Sequence, residues 1–466
     1  MHAKKLLHTS ETELTAWKRQ VGQVSLPEVH RTIFVPGKVP FWRKMAAFAG
    51  PGFLISVGYM DPGNWATDLA GGAQFGYTLL AAILISNLMA VFLQHLCVKL
   101  GVVTGRDLAQ ACRDHYSVPT VWFLWILCEL AIAACDLAEV VGSAIGLQLL
   151  FGIPVIWGCL ITCLDVLIVL YLHNKGFRWV EAIVIALIAT VGVCFTAELF
   201  FSKPSITGVL LGFVPSADIL KNREMLYVSI GILGATVMPH NLYLHSSVVQ
   251  TRNFKRTSEG KREAIRFATL DSTFALLFAL FINAAILILA AAAFHWNGHQ
   301  DVAEIQDAYK LLSPTLGIAA ASTIFAVALL ASGQNSTLTG TLAGQIVMEG
   351  FLNFRITPWL RRLITRGIAI IPAVCIVGYY GESKTTELLI ASQVVLSMQL
   401  GFAIWPLMRF TGDKKKMGEF VNPVWIKISG WIITISIIVL NMKLLFDTCV
   451  PETISKVFYR TLGLSD

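Results

Sequence analysis

Apolar residues fill this chain in long runs separated by short polar or basic stretches, from about residue 46 to residue 446. Each run is long enough to supply the roughly 20 residues that a membrane-spanning helix needs. Eleven spans are expected, at about 46–72, 77–100, 119–148, 153–173, 179–202, 226–250, 265–295, 315–349, 359–380, 386–409 and 422–446. The third, seventh and eighth exceed the hydrocarbon thickness, which implies tilt or extramembrane turns. The pattern is interrupted at two matching places. One is Asp61-Pro62-Gly63-Asn64 in the first span, and the other is Met238-Pro239-His240-Asn241 in the sixth. Proline inside a helix removes a backbone donor and clashes with the preceding turn, so both spans are expected to come apart there. In hydrocarbon such a break survives only where its freed carbonyls are buried in protein or line a cavity.

Five spans separate the two breaks, so successive five-span units enter the membrane from opposite sides, the arithmetic of an inverted repeat. Asp61 aligns with Met238, Pro62 with Pro239, Gly63 with His240 and Asn64 with Asn241. The expected organisation is an N-terminal segment (1–45), a first five-helix repeat (46–202), a connector (203–225), a second repeat (226–410), and an eleventh helix with its tail (411–466). Placing the N-terminus inside puts 28 of the 36 Lys and Arg residues on the cytoplasmic side, as the positive-inside rule requires. The C-terminus then lies outside.

Composition agrees with this picture. The chain of 466 residues is 55% hydrophobic and 14% charged, against about a quarter charged in a soluble protein. This identifies an all-α polytopic membrane protein, and the net charge of +7 needs no nucleic acid to explain it. The polar first 40 residues show no signal-peptide pattern. Seven of the cysteines (Cys97, Cys128, Cys135, Cys159, Cys163, Cys194, Cys375) fall in apolar segments without metal-ligand spacing and read as small buried hydrophobes. No nucleophile–base pair, phosphate loop or hydrolase metal motif appears, so no enzyme and no resident cofactor is expected, and no obligate protein partner is evident.

The residues at the breaks suggest a cation. Asp61 is an acid inside a span, costly unless functional. Asn64 adds an amide oxygen, the broken turn before Pro239 frees carbonyls such as that of Ala235, and Met238 adds a thioether. Oxygen donors alone suit Mg²⁺, Ca²⁺ or Mn²⁺, whereas a soft sulfur tilts the set toward transition metals such as Mn²⁺ or Fe²⁺, with Co²⁺ and Cd²⁺ plausible. Asn64 also suits a helix cap. In the third span Asp136 and Glu139 share a face, with Glu129 near it, and such a stripe of acids marks a proton relay. His240 suits a coupling element. Arg361, Arg362 and Arg366 open the ninth span as partners for those acids, with interfacial anchoring as the alternative for Arg361 and Arg366. Asp165 and Asp271 have no evident partner and read as structural. Ser332, Ser336, Gly340 and Gly344 recur every four residues, a face for close helix packing.

With these residues in view, the sequence resembles the NRAMP (natural resistance-associated macrophage protein) divalent metal transporters, of the bacterial proton-dependent manganese type. The resemblance rests on Asp61–Asn64, on Ala235–Asn241, and on Ser332-Gly333-Gln334-Asn335-Ser336-Thr337 through Gly340 to Phe351. It implies a leucine-transporter-like 5+5 inverted repeat with discontinuous helices 1 and 6, plus an eleventh helix. It also implies Mn²⁺/Fe²⁺ uptake with proton co-transport by alternating access, in a bacterial inner membrane. The implied ligands are Asp61, Asn64, the Ala235 carbonyl, Met238 and Gln393, with a further carbonyl at Gly58. Asp136, Glu139, His240 and Arg362 are implied in proton movement. The competing expectation is a sodium- or proton-coupled amino-acid or organic-solute transporter of the same fold, although an anionic Asp61 would repel a substrate carboxylate.

Overall fold

The computed structural model describes residues 17–19, 24–37, 39–165, 176–300, 304–381 and 384–449. The helices follow the expected spans. Span one is Pro51–Val57 and Pro62–Phe75, span two Leu80–Thr104, span three Val118–Phe151, and span four begins at Val155–Ile161. Span five is Phe177–Ser202, span six Arg223–Thr236 and Pro239–Val248, span seven Ser258–Ala293 and span eight Ala321–Leu352. Spans nine to eleven are Pro358–Tyr380, Thr385–Thr411 and Val424–Cys449. Spans three, seven and eight run to 34, 36 and 32 residues, so their extra length is continuous helix. Short helices Leu108–His115, Ile206–Gly212 and Ile305–Leu316 lie between spans.

Among the described residues, seven helices are long and apolar enough by themselves to cross a membrane. The other four have physical reasons to fall short. Span one is two half-helices, and the second half of the expected span four, 166–173, lies outside the described residues. Span eight carries a buried stripe of Ser, Thr, Asn and Gln, and span nine buries Arg361, Arg362 and Arg366. Those three arginines, expected from sequence among the 28 cytoplasmic charges, are interior groups.

Span one packs along span seven. Asp271 accepts from the amides of Gly52 (2.6 Å) and Gly50 (3.3 Å), which answers two of the free donors at the start of that half-helix, where Pro51 has none to offer. A Cβ on Gly52 would lie 2.5 Å from the Ser272 amide nitrogen, so only glycine allows this approach. Nearby, the fully buried Arg252 pairs with Glu181 at 2.6 Å and donates to the Ala49 carbonyl at 2.6 Å. Asp271, read from sequence as partnerless, is thus a clasp for the helix start. Further along, Trp65 is wedged between Phe195 and Phe325, with ring centroids 4.7 and 5.2 Å away.

The N-terminal segment lies across one end of the bundle. Ile33–Phe34 pairs in parallel with Arg252–Asn253. Ser25 donates to Asp107 (2.6 Å), the Leu26 amide to Glu349 (3.0 Å) and the Lys18 amide to the Asp114 carbonyl (3.0 Å). The cysteines divide: Cys97, Cys112, Cys128, Cys135 and Cys159 are buried, whereas Cys163 and Cys194 are half-buried and Cys375 is exposed. The buried-hydrophobe reading therefore fails for Cys375, whereas Cys163 and Cys194 pack, partly buried, against the core.

Gly52→Val tests the clasp. It should destabilise the protein by about 1–3 kcal/mol through overpacking, read as a lower unfolding midpoint in detergent. An unchanged midpoint would contradict the close approach.

Candidate functional site

Both breaks occur where the prolines predict them. After Val57 the chain leaves the α-helix for four residues, its amides bonding three residues back rather than four (Tyr59 to Ser56, Met60 to Val57), before Pro62 starts the second half-helix. In span six, Val237 (φ −104°, ψ 67°) and Met238 (φ −64°, ψ 125°) form the break, and Pro239 opens the next half. Asp61 caps its half-helix, its carboxylate accepting from the Asn64 amide at 2.8 Å. The capping role considered for Asn64 therefore belongs to Asp61, and the Asn64 side chain remains available.

The two breaks face each other. A Cβ on Gly58 would lie 3.2 Å from the Met238 sulfur and 2.3 Å from the Asn241 side-chain nitrogen. A Cβ on Gly63 would collide with the Gln393 amide, which places span ten over the turn after Asp61. Ser332 of span eight donates to the Met60 carbonyl. Asp61, Asn64, Ala235, Met238 and Gln393 are all sealed from solvent. Several polar atoms in this sealed region have no hydrogen-bond partner among the described residues: both side-chain atoms of Asn64, Oε1 of Gln393 and Oγ1 of Thr236. Buried polar atoms are rarely left so. Beneath the break Gln94 donates to the Tyr59 hydroxyl and bonds His245 Nδ1, both at 2.9 Å.

Among the described residues no three His, Cys, Asp or Glu side chains gather into a metal cluster. A cation here would meet one carboxylate, amide oxygens, a backbone carbonyl and a thioether. Such a set, poor in charge, suits an ion that must leave again rather than a resident cofactor.

Beside the breaks lies a buried ionic network. Arg362 bonds Asp136 (2.6 Å), Glu139 (3.0 Å) and Asp165 (3.3 Å). Arg366 bonds Asp165 and the Thr337 hydroxyl (both 2.5 Å), with Glu139 at 3.4 Å. Arg361 bonds both oxygens of Glu129 at 2.8 Å, and Trp125 donates to the same carboxylate. The anchoring alternative for Arg361 and Arg366 is overturned, because both are buried and paired with acids. Asp165, read from sequence as partnerless, is a full member of the network. Its partner was hidden because the pairing joins span four to span nine, and no local pattern records that. Ser336 and Thr337 also reach Glu139, and Gly340 and Gly344 lie against Glu139 and Arg361, so the small-residue face is packed.

Cys135 was missed as a site residue. Its sulfur lies 3.9 Å from both Asp61 Oδ2 and Glu139 Oε1, between the break and the network. Its i, i+4 spacing to Glu139 was the available signal. Asp68 was also missed. It lies two helical turns beyond Asp61, fully buried, with neither oxygen partnered among the described residues. His240 is buried with Nδ1 unpartnered, and no hydrogen bond to the acids of span three is seen.

Three comparisons bear on this arrangement. The family model for natural resistance-associated macrophage protein-like proteins matches residues 52–447. A divalent metal cation transporter MntH of Nostoc sp. is 66% identical over 424 residues, covering 91% of this chain and 96% of the relative. The MntH of Listeria monocytogenes is 62% identical over 440 residues, covering 94% and 98%. A crystal structure of the Eremococcus coleocola manganese transporter superposes with a TM-score of 0.84 at 40% identity, covering 95% of this chain and 96% of that one. Mhp1, a nucleobase-cation-symport-1 family transporter, shares the fold at 14% identity and a TM-score of 0.58, covering 86% and 93%.

Removing one member of a buried ionic network strands the others. Arg366→Met should destabilise the protein by about 3–5 kcal/mol, measured as unfolding in detergent. Arg361→Met should cost less, because the Glu129 side chain keeps 24% of its surface exposed. Equal losses would contradict the ranking.

Proposed function

Because the chain belongs to the natural resistance-associated macrophage protein family, we propose that it imports Mn²⁺ and Fe²⁺, and with them Co²⁺ and Cd²⁺, by alternating access coupled to protons. Its relatives are transporters of divalent metal cations, so the chain is a multi-pass membrane transporter and not an enzyme. The reading places the protein in a bacterial inner membrane with its N-terminus cytoplasmic. The charge asymmetry of the loops supports that orientation even after the three arginines of span nine are set aside.

The observation that carries this reading is the sealed junction of the two breaks, where Asn64, Gln393 and Thr236 hold polar atoms with no partner among the described residues, in the same buried region as the Asp61 carboxylate and the Met238 sulfur. The orphaned oxygens among these atoms are acceptors of the kind a passing cation needs. Asp61 supplies the charge, Asn64, Gln393 and the Ala235 carbonyl supply oxygens, and Met238 biases the set against Mg²⁺ and Ca²⁺. An organic substrate carboxylate has no counterpart here, since the one ionisable group is an acid.

In the proton half of the cycle, an arriving divalent cation favours the ionised form of Asp61. The released proton has a short route, because Cys135 stands between Asp61 and Glu139. The receiving network joins three carboxylates (Asp136, Glu139, Asp165) to two guanidiniums (Arg362, Arg366). One proton brings that group to neutrality, which gives it the capacity to accept one. Glu129 and Arg361 are a closed pair beside it, and His240, two residues past Met238, is the coupling group on span six.

Uptake of Mn²⁺ into proteoliposomes, with and without an inward proton gradient, tests the function. The gradient should accelerate uptake, and Asp61→Ala should abolish it. Met238→Ala should raise Ca²⁺ uptake relative to Mn²⁺ by about tenfold or more, the scale of one lost ligand preference of 1.4 kcal/mol. Parallel losses for both ions would refute the sulfur argument, and indifference to the gradient would refute the coupling.

A further inference from the structure

A second site lies at the end of the bundle that the N-terminal segment covers. A cavity of about 310 Å³ opens between the end of span two, the start of span seven and the connection from span ten to span eleven. Five cationic side chains line it: Arg106, Arg256, Lys261, Lys415 and Lys416. Ser258 at the N-terminal turn of span seven also faces it, and Thr257 caps that helix. The one carboxylate among the described lining residues, Glu419, is exposed and engaged by Arg262 at 2.7 Å.

The protein only partly balances these charges. Arg106 pairs with Asp114 (2.9 Å) and stacks on Trp17, while Lys416 pairs with Asp413 (2.6 Å). Arg256 has its guanidinium over the Phe254 ring, a long contact of 3.4 Å to the Val102 carbonyl, and a buried Nε with no partner among the described residues. Neighbouring groups register the excess of positive charge. Burial and then Arg31 draw the Arg256 pKa down to about 10, and burial followed by Lys416, Arg409 and Lys18 draws His115 down to about 4.

We propose that this cavity binds a phosphate-bearing anion, either an anionic lipid headgroup or a soluble phosphate. Clustered Lys and Arg at a helix start provide charge and N–H donors in the arrangement that phosphate oxygens take. A basic pocket between membrane helices is where acidic headgroups bind. The site is separate from the transport centre, and its test needs no transport.

Full-length protein in detergent is titrated with short-chain phosphatidylglycerol, phosphatidylcholine or inorganic phosphate while thermal unfolding is followed. Phosphatidylglycerol should raise the midpoint and phosphatidylcholine should not. A rise with inorganic phosphate as well would assign the site to soluble phosphate chemistry. The apparent affinity should fall about tenfold in Lys415→Glu/Arg256→Gln. Lys415→Glu alone alters an exposed residue and should also weaken binding. Lys414→Glu, outside the cavity wall, should leave it unchanged. No midpoint rise with either anion, or a rise that Lys415→Glu leaves intact, would overturn the proposal.

Discussion

A helix that breaks inside a membrane leaves backbone groups that lipid cannot satisfy, and the architecture of this protein is built around two such breaks. Asp61 turns the first into a capped half-helix start, and Ser332 reaches across from span eight to the Met60 carbonyl. Span six closes on span one where Gly58 lets Asn241 and Met238 approach. What the protein leaves unsatisfied is as informative as what it satisfies. The free polar atoms of Asn64, Gln393 and Thr236 lie in the same sealed region as Asp61.

The ionic network poses the complementary problem. Three acids and two arginines lie in the interior, where each charge alone would cost several kcal/mol. Mutual pairing makes the group tolerable, with three carboxylates sharing two guanidiniums. Cys135 connects it to the break through a small polarisable group, which suits a path that must also stay closed to water. A network held at this balance is better suited to switching than to stability, because burying paired charges rarely improves on apolar packing.

Much of this was legible in the sequence, for physical reasons. Hydrophobic run length sets the number of spans through local chain geometry, whereas proline marks a break only beside polar neighbours, as at Asp61–Asn64 and Met238–Asn241, since Pro372 and Pro406 sit inside continuous helices. Asp61 and Met238 stood out because an acid and a thioether next to matched breaks have few structural uses. What the sequence hid was tertiary. The Asp165–Arg366 pairing, the clasp of Asp271 on Gly50 and Gly52, and the inward turn of the span-nine arginines each depend on helices distant in the chain. Asn64 was legible as a polar group but not as an uncommitted one, since cap or ligand depends on which of two neighbouring residues takes the amide.

The central claim is that a divalent cation binds where the two half-helices meet. Anomalous diffraction from crystals soaked in Mn²⁺ tests it most directly. The account predicts a single strong peak between the Asp61 carboxylate and the Met238 sulfur, with Asn64 and Gln393 oxygens turned toward it. An empty junction with the manganese peak elsewhere in the bundle would contradict it.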